Sequence, residues 1–137
     1  QVYHRLVERN PQWGEAWFRL GFVRFRQGDY RGSAHAFDRC LSLRAVWIEA
    51  AYNAGLARWR LGDLHAARRA FESVLESQPR FLEAMRALGA IAIAQADFRA
   101  ALLFHRRLVE LGDRHPAILA NRAVLERLCP HPPAADP

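Results

Sequence analysis

An all-α array of antiparallel helix pairs is what this 137-residue sequence predicts. One interval of 34 residues runs through the chain. It separates Gly21, Gly55 and Gly89, then Asp29, Asp63 and Asp97, then the Glu-Ala pairs beginning at Glu15, Glu49 and Glu83. A fixed period of this size marks stacked supersecondary units. Inside each interval the apolar residues keep helical spacing, with Trp17, Leu20, Gly21 and Val23 on one stripe and Ala34, Phe37, Cys40 and Leu41 on the next. Between the stripes stands Gly28-Asp29-Tyr30, Gly62-Asp63-Leu64 or Ala96-Asp97-Phe98. Glycine accepts the left-handed conformation that stops a helix, and aspartate caps the next one.

Composition agrees. Hydrophobic residues make up 51% and charged residues 25% of the chain, which excludes intrinsic disorder. No apolar run approaches the roughly 20 residues that span a bilayer, so no membrane insertion is expected. The opening Gln1-Val2-Tyr3-His4-Arg5 lacks a basic-then-apolar signal layout, and the expected location is the cytoplasm, with the periplasm left open. Twenty basic residues, all arginine, face 14 acidic ones for a net charge of +6. That modest surplus is compatible with an acidic partner without requiring one.

The elements follow in order. Residues 1–13 read as a half-repeat: Tyr3, Leu6 and Val7, then Pro11, fit a second helix whose first helix is absent. The chain is therefore expected to be a fragment of a longer repeat protein, with an exposed apolar stripe that drives self-association through the N-terminal end. Repeat 14–47 carries helices at 14–27 and 30–43, and repeat 48–81 at 48–61 and 64–77. Repeat 82–115 carries helices at 82–95 and 98–111, joined through Ala96, which lacks glycine's freedom and is expected to be strained. The glutamates at 15, 49 and 83 fall in the first turns of first helices, where a carboxylate complements the positive helix end. Pro116 opens a capping helix over 116–128, and the proline-rich residues 129–137 are expected to form a flexible tail.

No catalytic set assembles. No two of the histidines at 4, 35, 65, 105, 115 and 131 stand at i, i+4 on one helix with a carboxylate, so the zinc-protease arrangement is missing. Cys129 and His131 form a lone C-x-H in the tail, and Cys40 sits at a buried register beside Phe37. The glycines recur at 34 residues and form no phosphate loop. A protein that is no enzyme and takes no metal or cofactor is expected.

Trp17, Leu20, Gly21, Gly28, Asp29, Tyr30, Ser33, Phe37 and Cys40 of the first unit resemble the tetratricopeptide repeat. So do Gly55, Gly62, Asp63, Leu64, Ala67, Phe71, Val74 and Pro79 of the second, and Leu88, Gly89, Asp97, Phe98, Ala101 and Leu108 of the third. Departures are Ala51 and Met85 for tryptophan, Arg24 and Arg58 for tyrosine, and His105 for the aromatic, and they imply looser packing. The resemblance implies a right-handed superhelical solenoid whose first helices line a concave groove. Phe18, Arg19, Phe22, Phe25 and Arg26 would face it, then Tyr52, Asn53, Leu56, Trp59 and Arg60, then Arg86, and Asn121 of the last helix. An apolar floor with an arginine rim suits a peptide or helix of a protein partner with acidic flanks. The expected role is a scaffold module within a larger bacterial protein. Family members that clamp acidic chaperone tails use lysine, asparagine and arginine at five registers. Here only Asn53 fits, because Phe18, Phe22, Glu83 and Ala87 fill the rest.

Two other readings compete. One is a substrate-recruiting domain of an enzyme outside this chain. The other is an RNA-binding array using Arg31, His35, Arg39, Arg68, Arg69, Arg99, Arg106 and Arg107. Nucleic acid is the disfavoured partner, because Asp38, Glu72, Glu76 and Glu110 interleave at spacings that pair with arginine.

Overall fold

The computed structural model describes residues 2–130. Among them are the helices α1 (Val2–Arg9), α2 (Gly14–Arg26), α3 (Tyr30–Leu43), α4 (Ile48–Arg60), α5 (Leu64–Ser77), α6 (Leu82–Ala94), α7 (Phe98–Glu110) and α8 (Pro116–Leu128), with no strand. None is long and apolar enough to cross a membrane. The tail beyond Pro130, His131 included, lies outside the described residues. The chain divides into two compact units, one up to Ser77 and one from Gln78 on.

In the first unit α1 packs on α2, α2 on α3, α3 on α4 and α4 on α5. The α2–α3 turn is a helix stop fused to a helix start. Gly28 has φ +78°, and the N–H groups of Gly28 and Asp29 return to the carbonyls of Phe25 and Arg24 at 3.0 and 2.9 Å. The Asp29 carboxylate then accepts from the Gly32 N–H at 2.9 Å. Gly62 (φ +81°) and Asp63, which accepts from the Ala66 N–H at 3.2 Å, repeat the device between α4 and α5.

The core explains the repeated glycine. A Cβ added at Gly21 would lie 2.7 Å from the Phe37 ring, and one at Gly55 would lie 2.8 Å from Phe71. Each helix pair closes on a buried phenyl ring laid against bare backbone. Ser33 is buried beside it and its hydroxyl donates to the Gly21 carbonyl at 2.8 Å. Cys40 is buried too, and loss of solvation pushes its thiol up to about 12. Trp17 is only half-buried, its indole N–H donating to the Pro11 carbonyl at 2.9 Å.

The first helix corrects an expectation. Its stripe is not left fully open: Val7 is 3% exposed in a cluster with Ala16, Leu20 and Ala36, and Tyr3 and Leu6 pack against that cluster. α2 supplies the apolar wall on which Val7 closes, so of the stripe invoked for self-association only Tyr3 and Leu6 stay partly open.

In the second unit α6 packs on α7 and α7 on α8. Ala96, in the register of Gly28 and Gly62, adopts φ +57° and is the one non-glycine with positive φ among the described residues. The strain expected of it is present, and Asp97 still caps α7 by accepting from the Ala100 N–H at 3.3 Å. His105 takes the place of the phenyl ring and lies against the glycine in the same way. It is 1% exposed, and a Cβ at Gly89 would lie 2.8 Å from its Cε1. Its Nδ1–H donates to the Ala101 carbonyl at 2.7 Å, which satisfies the buried imidazole.

Candidate functional site

The predicted groove residues of the first unit stand on α2 and α4, and their surroundings sort them. Phe18 is enclosed by rings: it stacks on Trp47 (5.0 Å, 12°) and meets Phe22 and Phe37 edge-on at 5.0 and 5.6 Å. Tyr52 tilts against Phe71 at 5.6 Å. Both are half-buried and complete the core as much as they face outwards. Phe22 is different, with 38% of its surface exposed although its ring touches Phe18 and Phe37. Trp59, half-buried, meets Phe71 edge-on at 6.1 Å and lines a depression with Leu56 and Arg60. A second depression is lined by Tyr3, Arg19, Phe22, Val23 and Arg26. A third lies off this face, on the α3–α4 connection and the end of α5, where Val46 and Trp47 meet Ser73 and Glu76.

The polar groups sort in the same way. Arg19 is held by Glu15 at 3.1 Å, and the Asn53 amide donates to the Glu49 carbonyl at 2.7 Å within its own helix. Arg60 projects over the Phe25 and Tyr30 rings, its Cζ 5.6 and 5.7 Å from their centroids, and donates to the Tyr30 hydroxyl at 3.3 Å. Phe25 meets Tyr30 edge-on at 5.0 Å. No carboxylate pairs with Arg60 or Arg26 among the described residues.

Arg86 and Asn121 lie in the second unit, on α6 and α8. Asn121 is exposed. Arg86 donates through Nε to Asp113 at 2.7 Å, and the Asp113 side chain is 1% exposed. The Asp113 carboxylate also accepts from the His115 N–H at 2.9 Å. The hydrogen bond from Arg86, helped by that N–H and by charge, holds the Asp113 carboxyl below the usual carboxylate range although burial opposes it. Arg86 therefore braces the loop before α8.

Sequence reasoning missed Asp113, Tyr30 as a support for Arg60, and Trp47 as the platform for Phe18. Asp113 had a signal, since it stands where Pro11 and Pro79 stand in other repeats. The two aromatic supports had none, because each contact joins different helices. Some arginines are compensated. Arg58 on α4, a first helix, grips Asp38 of α3 through both terminal nitrogens, and on the second helices Arg68 meets Glu72 at 3.8 Å. In the second unit Arg106 meets Glu126 at 3.3 Å and Arg107 meets Glu110 at 3.4 Å. Among the described residues, no group of three or more His, Cys, Asp or Glu is placed to hold a metal ion.

Family profiles described as tetratricopeptide repeat match residues 14–44 and 52–116. No protein of curated function matches the sequence. A crystal structure of MamA superimposes with a TM-score of 0.84 at 15% identity, over 91% of this chain and 73% of that one. YrrB, described as a TPR protein with an unusual peptide-binding site, gives 0.78 at 17% identity, over 92% and 65%. The first TPR of Spaghetti (RPAP3), solved with the HSP90 peptide SRMEEVD, gives 0.76 at 15% identity, over 85% and 93%. At such identities the likeness is one of fold.

Proposed function

Because the chain belongs to the tetratricopeptide-repeat family, we propose that it is a non-catalytic interaction module that seats a peptide or helix of a partner protein on the α2–α4 face of its first unit. One observation carries this reading. Phe22 and the Leu56–Trp59 depression leave aromatic and aliphatic surface open beside Arg26 and Arg60, two guanidiniums without a carboxylate. Such surface favours burial under a partner. The similar YrrB and Spaghetti structures support a peptide as the occupant, since their descriptions name a peptide-binding site and a bound peptide.

The occupant is not a chaperone tail of the type bound by the Spaghetti repeat. Phe18 and Phe22 stand at two clamp registers, and the Asn53 amide is spent on its own helix. The carboxylates paired with Arg68, Arg106 and Arg107 reduce the charge that the second helices could offer RNA. The test is selection of peptides from a random display library on the purified chain, followed by NMR mapping of the best binder. Shifts concentrated on α2 and α4 support the reading. Shifts confined to α7 or α8 refute it.

A further inference from the structure

The guanidiniums around the α2–α4 face are not equivalent. Arg19 and Arg58 are neutralised by Glu15 and Asp38. Arg26 keeps its charge but has no partner among the described residues to fix it. Arg60 combines full charge with a fixed position: two rings and one hydroxyl hold it, and none of them carries a negative charge. Ring quadrupoles and a phenol orient a guanidinium without cancelling its field, so the cost of ordering the side chain is met before a ligand arrives. One of its five N–H groups is used on Tyr30, and the planar fork retains donors for a second acceptor. Apolar surface lies directly beside it at Leu56 and Trp59.

The geometry points to Arg60 as a carboxylate receptor. The partner segment sets an Asp or Glu carboxylate on this guanidinium and an adjacent apolar side chain on Leu56 and Trp59. The guanidinium fork of Arg60 matches the two oxygens of one carboxylate. This inference rests on reading the α2–α4 face as a peptide site, and it adds the selectivity of that site. Phe25 and Tyr30 are positioning residues within it, because they aim Arg60 and do not themselves meet the carboxylate.

The test uses the 137-residue chain and three capped hexapeptides, Ac-Ser-X-Leu-Phe-X-Ser-NH2, with X as Glu, Gln or Lys. Binding is read from the indole N–H signal of Trp59 at low salt, for the unaltered chain, Arg60→Gln, Arg60→Lys and Leu56→Ala. Arg60 is exposed, so its variants fold, and a thermal melt verifies it. The expected result is a Glu peptide bound about tenfold more tightly than the Gln peptide, with the Lys peptide weakest. That preference disappears in Arg60→Gln and survives in part in Arg60→Lys. Leu56→Ala weakens all three peptides alike. Equal binding of Glu and Gln peptides, with Leu56→Ala still weakening both, overturns the carboxylate receptor and leaves the groove reading standing. No movement of the Trp59 signal at millimolar concentrations of any peptide overturns both.

Discussion

The first and third repeats use one skeleton and fill it differently. Where the first sets Phe37 against Gly21, the third sets His105 against Gly89. Gly28 turns the first pair of helices, and strained Ala96 turns the third. Phe18 stacks on Trp47, while the residue at the same register, Arg86, pairs with buried Asp113. The skeleton needs a ring laid on a glycine, a left-handed residue and an aspartate cap. The chemistry of the ring and of the outward registers is free to change, provided each buried polar atom finds a partner. That freedom lets the first unit carry open aromatic and arginine surface while the third repeat carries Ala87, Ala90 and Ala94 at the corresponding registers.

The comparison can be broken at several strengths. Phe37→Ala and Phe71→Ala should each cost about 3–5 kcal/mol in chemical denaturation, since both rings are fully buried. Gly21→Ala should also be strongly destabilising, because a methyl group has no room beside Phe37. A mild effect at all three positions would mean that the glycine–ring contact is not the skeleton.

Asp113→Asn should cost about 1.5–3 kcal/mol by removing charge-assisted hydrogen bonds from a buried carboxylate. The sign of its pH dependence is fixed. The folded carboxyl lies below its ordinary value of 3.8, so its contribution is complete above that value and is lost as pH falls through the folded one. Unfolding curves of the unaltered chain and Asp113→Asn should therefore differ fully at neutral pH and converge in acid. A difference independent of pH would show that the pair does not act through charge.

Ala96→Gly should raise stability by about 1 kcal/mol, and Gly62→Ala should lower it by a similar amount, each read from the denaturation midpoint. Smallest in energy is a difference in reactivity. A thiol reagent at pH 8 should label Cys129, which is partly exposed, well before Cys40, whose thiol is buried and pushed up to about 12. Equal labelling rates in the folded chain would mean that the first unit opens readily.

The fold was legible because its determinants repeat. Gly21, Asp29 and Phe37 recur 34 residues on, and a local conformation or a packing need stands behind each. Even the strain at Ala96 followed from the missing glycine. The site was legible only as a set of registers. Spacing put Phe18 and Phe22 on one face, but Trp47 covers Phe18 and leaves Phe22 open. The family resemblance gave Arg19, Arg60 and Arg86 equal standing. Partners on other helices or in loops divide them, since Asp113 binds Arg86 while Phe25 and Tyr30 aim Arg60. Burial of Val7 on α1 escaped for the same reason, being a property of the wall it meets.

The most direct test sets open residues of the two units against each other. Affinity for the best library-selected peptide is measured for Phe22→Ala and Trp59→Ala in the first unit and for Leu103→Ala and Leu128→Ala in the second, where 52% and 55% of those leucines is exposed. Thermal unfolding is recorded for all four. The account predicts that Phe22→Ala and Trp59→Ala each weaken binding about tenfold or more while the chain stays folded, and that the two leucine variants bind normally. Peptide affinity unchanged by Phe22→Ala and Trp59→Ala but lost with Leu103→Ala or Leu128→Ala would contradict it.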